Sequence, residues 1–167
     1  LLAREKIGRG QYIDVSFLDV VTSMTVLPAA SYFAEGKLPR PGRWWLNGGY
    51  PFYNVYETKD GKYLTIGCIE ERFWVNLCKA LGVMDFAKWQ YASEDKVKEM
   101  FEAIRSIFKS RSLDEWLHVL SKEDVPCGPV YELDKVFEDP QILYRKMTVE
   151  AEHPSVGKIK QLGIPLK

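Results

Sequence analysis

Asn47-Gly48-Gly49-Tyr50-Pro51-Phe52-Tyr53-Asn54-Val55-Tyr56, followed by Lys59-Asp60-Gly61-Lys62 and Gly67-Cys68-Ile69-Glu70, is the stretch that decides the fold of this chain. Two runs of strand-forming residues flank Asp60-Gly61, a dipeptide suited to the two-residue turn of a tight hairpin. The first run opens after paired glycines. The second ends on a carboxylate, Glu70, and a helical pattern starts at Glu71. A carboxylate held at a strand-to-helix junction, facing a glycine-rich loop, is a candidate piece of an active site. The competing reading is an acid that complements the dipole at a helix N-terminus.

Downstream, Phe73, Leu77 and Leu81 share one face of a helix over residues 71–81, and Gly82 stops it. A longer helix over residues 93–110 spaces Val97, Met100, Phe101, Ile104, Ile107 and Phe108 by threes and fours. Ser112 and Glu115 have capping-box spacing, and Leu113, Trp116, Leu117 and Leu120 follow at helical intervals. These stripes are core rather than a cofactor box. Residues 125–131, with Pro126, Gly128 and Pro129, form a short extended segment expected to cross to another body. Residues 132–138 and 140–146 are short helical pieces. Residues 148–152 and 158–162 are strand-like, with Gly157 between them.

Upstream, residues 1–6 resemble the last turn of a helix, and Gly8-Arg9-Gly10 is a turn or helix stop. Residues 12–15 suit a short strand. Ser16 and Asp19 again have capping-box spacing, and one apolar helix is expected from there to Phe33, ended by Gly36. With few charges before Glu35, that helix is expected to be buried on several sides. Residues 37–49 contain Pro39, Pro41 and Gly42 and suit a linker; Arg40 and Arg43 fit either solvated charges or phosphate contacts. The whole order is that of a mixed α/β protein.

Composition narrows the function classes. A chain of 167 residues accommodates one domain, or one with an appendage. Its 23 basic residues are matched by 23 acidic ones, so the clustered positive charge that nucleic acid demands is not indicated. No apolar run approaches the roughly 18 residues of a membrane span, and no membrane partner is expected. Cys68, Cys78 and Cys127 form no CxxC pair and lie far in sequence from His118 and His153, so no metal site is expected. Sparse, odd-numbered cysteines point to free thiols in a reducing, cytoplasmic setting. The opening at Leu1 suggests a piece of a longer polypeptide.

Three blocks stand in register: Gly8-Arg9-Gly10-Gln11 with Asp14-Val15-Ser16; Gly48-Gly49-Tyr50-Pro51-Phe52-Tyr53 through Glu70; and Val125-Pro126-Cys127-Gly128-Pro129-Val130 with Asp139-Pro140-Gln141. Together with His153-Pro154 and Gly163-Ile164-Pro165 they resemble the family III CoA-transferases (CaiB/BaiF-like proteins), and within that superfamily the α-methylacyl-CoA racemases most. The resemblance implies a two-domain polypeptide about twice this long, of α/β class. It has a Rossmann-like large domain built from both ends of the chain and an α+β small domain in the middle, and two copies interlock as a homodimer. Residues 1–35 would end the first large-domain segment, 36–47 would be a linker, 48–122 the small domain, and 123–167 the return to the large domain.

Two reaction types are implied, both on an acyl-CoA thioester, with coenzyme A as part of the substrate and no covalently bound cofactor. A racemase exchanges the α-proton of a 2-methylacyl-CoA by a histidine and an aspartate upstream of this chain; a CoA-transferase moves CoA between carboxylic acids by an upstream aspartate. In the racemases a glutamate at the position of Glu70 hydrogen-bonds the histidine. The resemblance also assigns Gly48 and Gly49 to the thioester loop, Tyr53 and Ile69 to the acyl site, and Asp19 to a polar position near it. Tyr50 stands where a small residue is common. From the residues alone, Gly48 and Gly49 are also ordinary turn glycines, Tyr53 and Ile69 ordinary core, and Asp19 a capping residue. Asp14 is structural, Cys127 lacks a nearby histidine that would make it a nucleophile, and His118 and His153 are surface or packing residues. A third reading makes the isolated piece a non-catalytic dimerisation or binding module.

Overall fold

The computed structural model describes residues 1–166, which cluster into two compact units, one over residues 1–44 and the other from residue 45 onward.

In the first unit, α1 (Leu2–Ile7) ends at Gly8, whose φ of 70° is the left-handed conformation that closes a helix. The strand expected over residues 12–15 is not formed, and no described strand pairs with this segment. Without a partner, its backbone groups gain nothing by extending. The single helix expected to follow is two, α2 (Phe17–Met24) and α3 (Val26–Glu35), bent by 63°. Pro28 explains the break: its ring collides with the carbonyl four residues back, at Met24. The Ser16 hydroxyl accepts from the Asp19 N–H at 3.4 Å, which is half of a capping box; the aspartate side chain is one methylene too short to reach back easily. Gly36 closes α3 at φ 69°.

The expected burial of this helical segment is not observed. Neither α2 nor α3 contains a buried residue, and Phe17 and Phe33 are 91% and 81% exposed. Within this unit no second layer lies against their apolar stripe. No single helix is long and apolar enough to cross a membrane; α2 and α3 pass such a test only as a bent pair.

The second unit is built on the hairpin. Strands β1 (Tyr53–Glu57) and β2 (Tyr63–Gly67) pair antiparallel from Tyr53 opposite Gly67 to Glu57 opposite Tyr63. The expected two-residue turn is instead a longer one. Gly61 N–H donates to Thr58 O (3.1 Å) and Thr58 N–H to Lys62 O (2.8 Å), with Gly61 at φ 73°. That is a type I turn closed by a left-handed glycine, the bulged three-residue loop. The sequence Asp-Gly suits both turns. Tertiary contacts select this one: Asp60 Oδ1 accepts from Thr58 Oγ1 (2.6 Å) and from the Leu113 N–H (3.1 Å), and Lys59 N–H donates to Arg111 O (2.9 Å).

Side chains alternate across these strands, as the pleat requires. Tyr56, Leu64 and Ile66 enter the core, while Val55 and Thr65 face outward. Three helices cover the inner face. From α4 (Glu71–Leu81) come Trp74, Leu77, Cys78 and Leu81; from α5 (Glu94–Phe108), Val97, Met100, Ile104 and Phe108; from α6 (Leu113–Leu120), Leu113, Trp116 and Leu120. The expected face of α4 is correct except that Trp74 replaces Phe73 as its buried aromatic. Phe108 stacks on Tyr56 (4.7 Å) and meets Trp116 edge-on (5.1 Å), whose Nε1–H donates to the Phe108 carbonyl (2.8 Å). The capping box Ser112/Glu115 is complete. A 3₁₀ helix, Met84–Trp89, was not foreseen between α4 and α5.

The extended segment near residue 127 is a strand, β3 (Cys127–Pro129), and it joins the hairpin as a third strand, antiparallel to β2, with Ile66 opposite Cys127. Short helices α7 (Leu133–Val136) and α8 (Pro140–Tyr144) follow, α8 capped by Asp139 with Pro140 in its first turn. Strands β4 (Thr148–His153) and β5 (Gly157–Leu162) form a separate antiparallel hairpin. Gly163 comes next, its N–H on Met147 O (2.9 Å); a Cβ there would overlap the Lys146 carbonyl, so only glycine fits.

Candidate functional site

Glu70 is the N-cap of α4, with extended backbone (φ −70°, ψ 138°). Its carbonyl starts the helix by accepting from Phe73 N–H (3.0 Å) and Trp74 N–H (3.1 Å). Its carboxylate makes no capping bond and is exposed. The carboxylate thus accepts no hydrogen bond from the helix N-terminus, although its charge there still complements the helix dipole, and the side chain stays available at a position that the backbone defines.

That backbone is held from several directions. Cys68 N–H donates to Phe52 O (2.8 Å), tying the end of β2 to the loop that follows the paired glycines. Gln90, only 8% exposed, donates its Nε2 hydrogens to Cys68 O (3.2 Å) and Ile69 O (2.7 Å). Trp74, one turn into α4, donates Nε1–H to Ala87 O (3.1 Å) and Phe86 O (3.3 Å) of the 3₁₀ helix. Sequence reasoning missed both Gln90 and Trp74. A tryptophan beside Phe73 on α4 offered a signal, whereas a lone glutamine in a loop offered none.

The glycine loop has its own supports. Gly48 sits at φ 94°, where an L-residue is strained, and its carbonyl accepts from Asn54 Nδ2 (3.1 Å). Turn chemistry alone therefore suffices to require a glycine there. Gly49 has no such requirement. Tyr50 stacks on Phe52 (5.2 Å) and meets Tyr91 edge-on (5.7 Å), so it belongs to an aromatic cluster. Tyr56 donates its hydroxyl to Pro51 O (2.7 Å), and burial drives its phenol far above the ordinary range.

Gly48 and Tyr53 line one cleft of about 550 Å³ over the outer face of the sheet, beside Val55, Thr65 and Cys127. Ile69 lines a second depression of about 700 Å³ with Glu71, Trp89, Gln90 and Tyr91. Glu70 stands in the short connection between Gly67, on the first, and Glu71, on the second. Asp19 lies in the other compact unit, where its backbone takes the Ser16 cap.

The remaining titratable candidates do not build a nucleophilic site. Burial, helped at Cys68 by the nearby Cys127, pushes the thiols of Cys68 and Cys78 up to about 12. Burial also raises Cys127. A thiol so shifted is protonated near neutrality and is a poor nucleophile. His118 is exposed on α6, and His153 Nδ1 accepts from Ser155 N–H (3.2 Å) in the β4–β5 turn. Among the described residues no group of three or more His, Cys, Asp or Glu could hold a metal ion.

Comparison with known proteins shows what the chain as a whole is similar to. The family model described as CoA-transferase family III matches residues 1–167. A human succinyl-CoA:glutarate CoA-transferase is 29% identical over 98% of this chain and 38% of its own length. A human alpha-methylacyl-CoA racemase is 27% identical over 94% of this chain and 41% of its own. The formyl-CoA:oxalate CoA-transferase of an Escherichia coli strain is 28% identical over the whole chain and 46% of its own. The chain thus spans less than half the length of these relatives. Among solved structures, a CAIB/BAIF family protein from Brucella suis superposes with a TM-score of 0.68 at 26% identity, over 99% of this chain and 43% of that one. Rv3272 from M. tuberculosis shares the fold at a TM-score of 0.73 and 18% identity, over 99% and 44%.

Proposed function

The chain belongs to CoA-transferase family III, and from that premise we propose that the protein carrying it acts on acyl-CoA thioesters as a 2-methylacyl-CoA racemase. The carrying observation is the Glu70 carboxylate, exposed and unused in capping, at a junction fixed by backbone hydrogen bonds on both sides. On this reading Glu70 accepts a hydrogen bond from a histidine outside this chain. The α-proton of a thioester is weakly acidic, so its base needs a tuned pKa and a defined tautomer. A carboxylate beside an imidazole favours the imidazolium and selects the nitrogen that carries the proton. Gly48, Gly49, Tyr53 and Ile69 would then shape the acyl side of the site, with Asp19 a further polar contributor and coenzyme A entering only as part of the substrate. The same reading assigns residues 1–35 to a large domain, 48–122 to a small one and 123–167 to the return, of which β3 pairs with the small-domain hairpin and the remainder would rejoin the large domain, and the whole to an interlocked cytoplasmic homodimer.

A second reading has an observation of its own. Two of the relatives above are named CoA-transferases, at 29% and 28% identity against 27% for the racemase. A transferase would use the Gly48-Gly49 loop beside the thioester and would not need Glu70.

The two separate in one experiment on the full-length protein. A 2-methylacyl-CoA incubated in deuterated water gains one mass unit at Cα if the enzyme is a racemase, with no carboxylate acceptor present. A transferase leaves Cα unlabelled and makes a new thioester only when a carboxylic acid is supplied. Within the racemase reading, Glu70→Gln slows exchange by about 10²-fold or more, by analogy with the catalytic triad, where loss of the orienting carboxylate costs about 10⁴-fold, and leaves the melting temperature unchanged. An unchanged exchange rate refutes the orienting role. The isolated chain is expected to show no turnover.

A further inference from the structure

We infer that Gln90 is a positioning residue for Glu70, acting through the backbone of Cys68 and Ile69; this rests on the proposed role of Glu70. Glu70 has an exposed carboxylate without a capping bond, so its own side chain does not set its place. Its place is set by the two residues before it and the helix after it. Gln90 Nε2 donates to both preceding carbonyls, at 3.2 Å to Cys68 and 2.7 Å to Ile69. Both partners are acceptors, so the amide nitrogen and not the oxygen must face them. The side chain is 8% exposed, and water competes little for these bonds.

Gln90 is itself anchored by the helix that it serves. It follows the 3₁₀ helix Met84–Trp89, whose Phe86 and Ala87 carbonyls accept from Trp74 Nε1–H. Trp74 lies on α4, four residues after Glu70. The hydrogen bonds therefore form a closed circuit: the end of β2, α4 through Trp74, the 3₁₀ helix, and back through Gln90 to the end of β2. A circuit of this kind fixes the Cys68–Glu70 segment against the core more firmly than a chain with a free end. A glutamine suits the closing position because it is neutral and carries two donors on one nitrogen. A glutamate would set a carboxylate against two carbonyl oxygens, and a methionine would keep the length without the donors.

The test uses the full-length protein, Gln90→Met and Gln90→Glu. Amide hydrogen exchange of residues 67–73 should quicken about tenfold in Gln90→Met, while the last turn of α5, where Phe108 packs on Tyr56 and Trp116 outside the circuit, keeps its protection. The kcat for α-proton exchange should fall by about 10-fold to 100-fold with KM nearly unchanged, because misplacing a catalytic group by about an ångström has that effect. In a Glu70→Gln background the same Gln90→Met change should cost little further rate, since the residue it positions is gone. In Gln90→Glu, kcat relative to wild type should recover as pH falls and the introduced carboxyl regains a donor. A simple loss of packing would show neither the missing additivity nor the pH recovery. Unaltered exchange over 67–73, or a full kcat penalty in the Glu70→Gln background, overturns the inference and leaves the racemase reading standing. A wild-type protein that moves no α-proton overturns that reading, and this inference with it.

Discussion

Trp74→Phe probes the strut that joins α4 to the 3₁₀ helix. Trp74 is fully buried, at 0% exposure, and meets Phe52 edge-on at 6.3 Å. The substitution removes about three ring atoms from the core; at about 0.8 kcal/mol per buried carbon this is roughly 2 kcal/mol. It also removes the donor to Phe86 O and Ala87 O, worth about 1 kcal/mol more. The sum is about 3 kcal/mol, a large share of the roughly 5–15 kcal/mol that holds a domain together. At about 4 °C per kcal/mol for a unit of this size, the melting temperature should drop by about 10 °C. Urea unfolding followed by far-ultraviolet circular dichroism measures this through the midpoint, with the slope unchanged. Trp89→Phe is the control. Trp89 is 42% exposed, and its substitution should shift stability by no more than about 0.5 kcal/mol. A Trp74→Phe loss below about 1 kcal/mol would refute the strut.

Other outcomes are equally specific. Ser112→Ala removes the hydroxyl that accepts from Glu115 N–H, and should cost about 1 kcal/mol in the same unfolding assay. The Asp60 carboxyl is held below its ordinary value of 3.8, first by the Thr58 hydroxyl, and Glu115 below 4.5 by the backbone and hydroxyl of Ser112. Carboxylates depressed in the folded state stabilise it above their unfolded pKa, and that contribution is lost as pH falls through the folded values. The melting temperature should therefore decline as pH drops below about 4.5, and the decline should be shallower in Asp60→Asn; an equal slope in both proteins would contradict the assignment. Cys68 and Cys78, pushed up to about 12 by burial, should resist iodoacetamide at pH 8 in the native protein and react after urea denaturation, as mass spectrometry would show.

The second unit was largely legible residue by residue. The spacing of Val97, Met100, Ile104 and Phe108 announces α5 because one buried face of a helix repeats every three or four residues. Ser112 and Glu115 announce α6 because their reciprocal bonds involve only near neighbours. The first unit was less so. Its apolar composition suggested a buried helix, yet Pro28 divides it and the described residues leave it uncovered. Composition states that a surface would gain from burial; it does not state what lies against it.

The candidate site divides in the same way. Glu70 and the paired glycines were visible because a strand-to-helix junction and a left-handed turn have local signatures. Gln90 was invisible, since a loop glutamine is ordinary until two carbonyls from residues 21 and 22 positions earlier arrive at its amide. The hairpin turn shows both sides at once: Asp60-Gly61 announced a reversal, and contacts with Arg111 and Leu113 selected its length.

The sequence by itself determined the main helices and strands of the second unit and the place of the carboxylate, because these depend on interactions among residues a few positions apart. Only the tertiary structure decided that β3 completes the hairpin sheet, that the Glu70 side chain is spared from capping, and that Gln90 and Trp74 close a circuit around it. Those outcomes depend on groups distant in sequence, and a directional bond between them exists only once the core has brought them within about 3 Å.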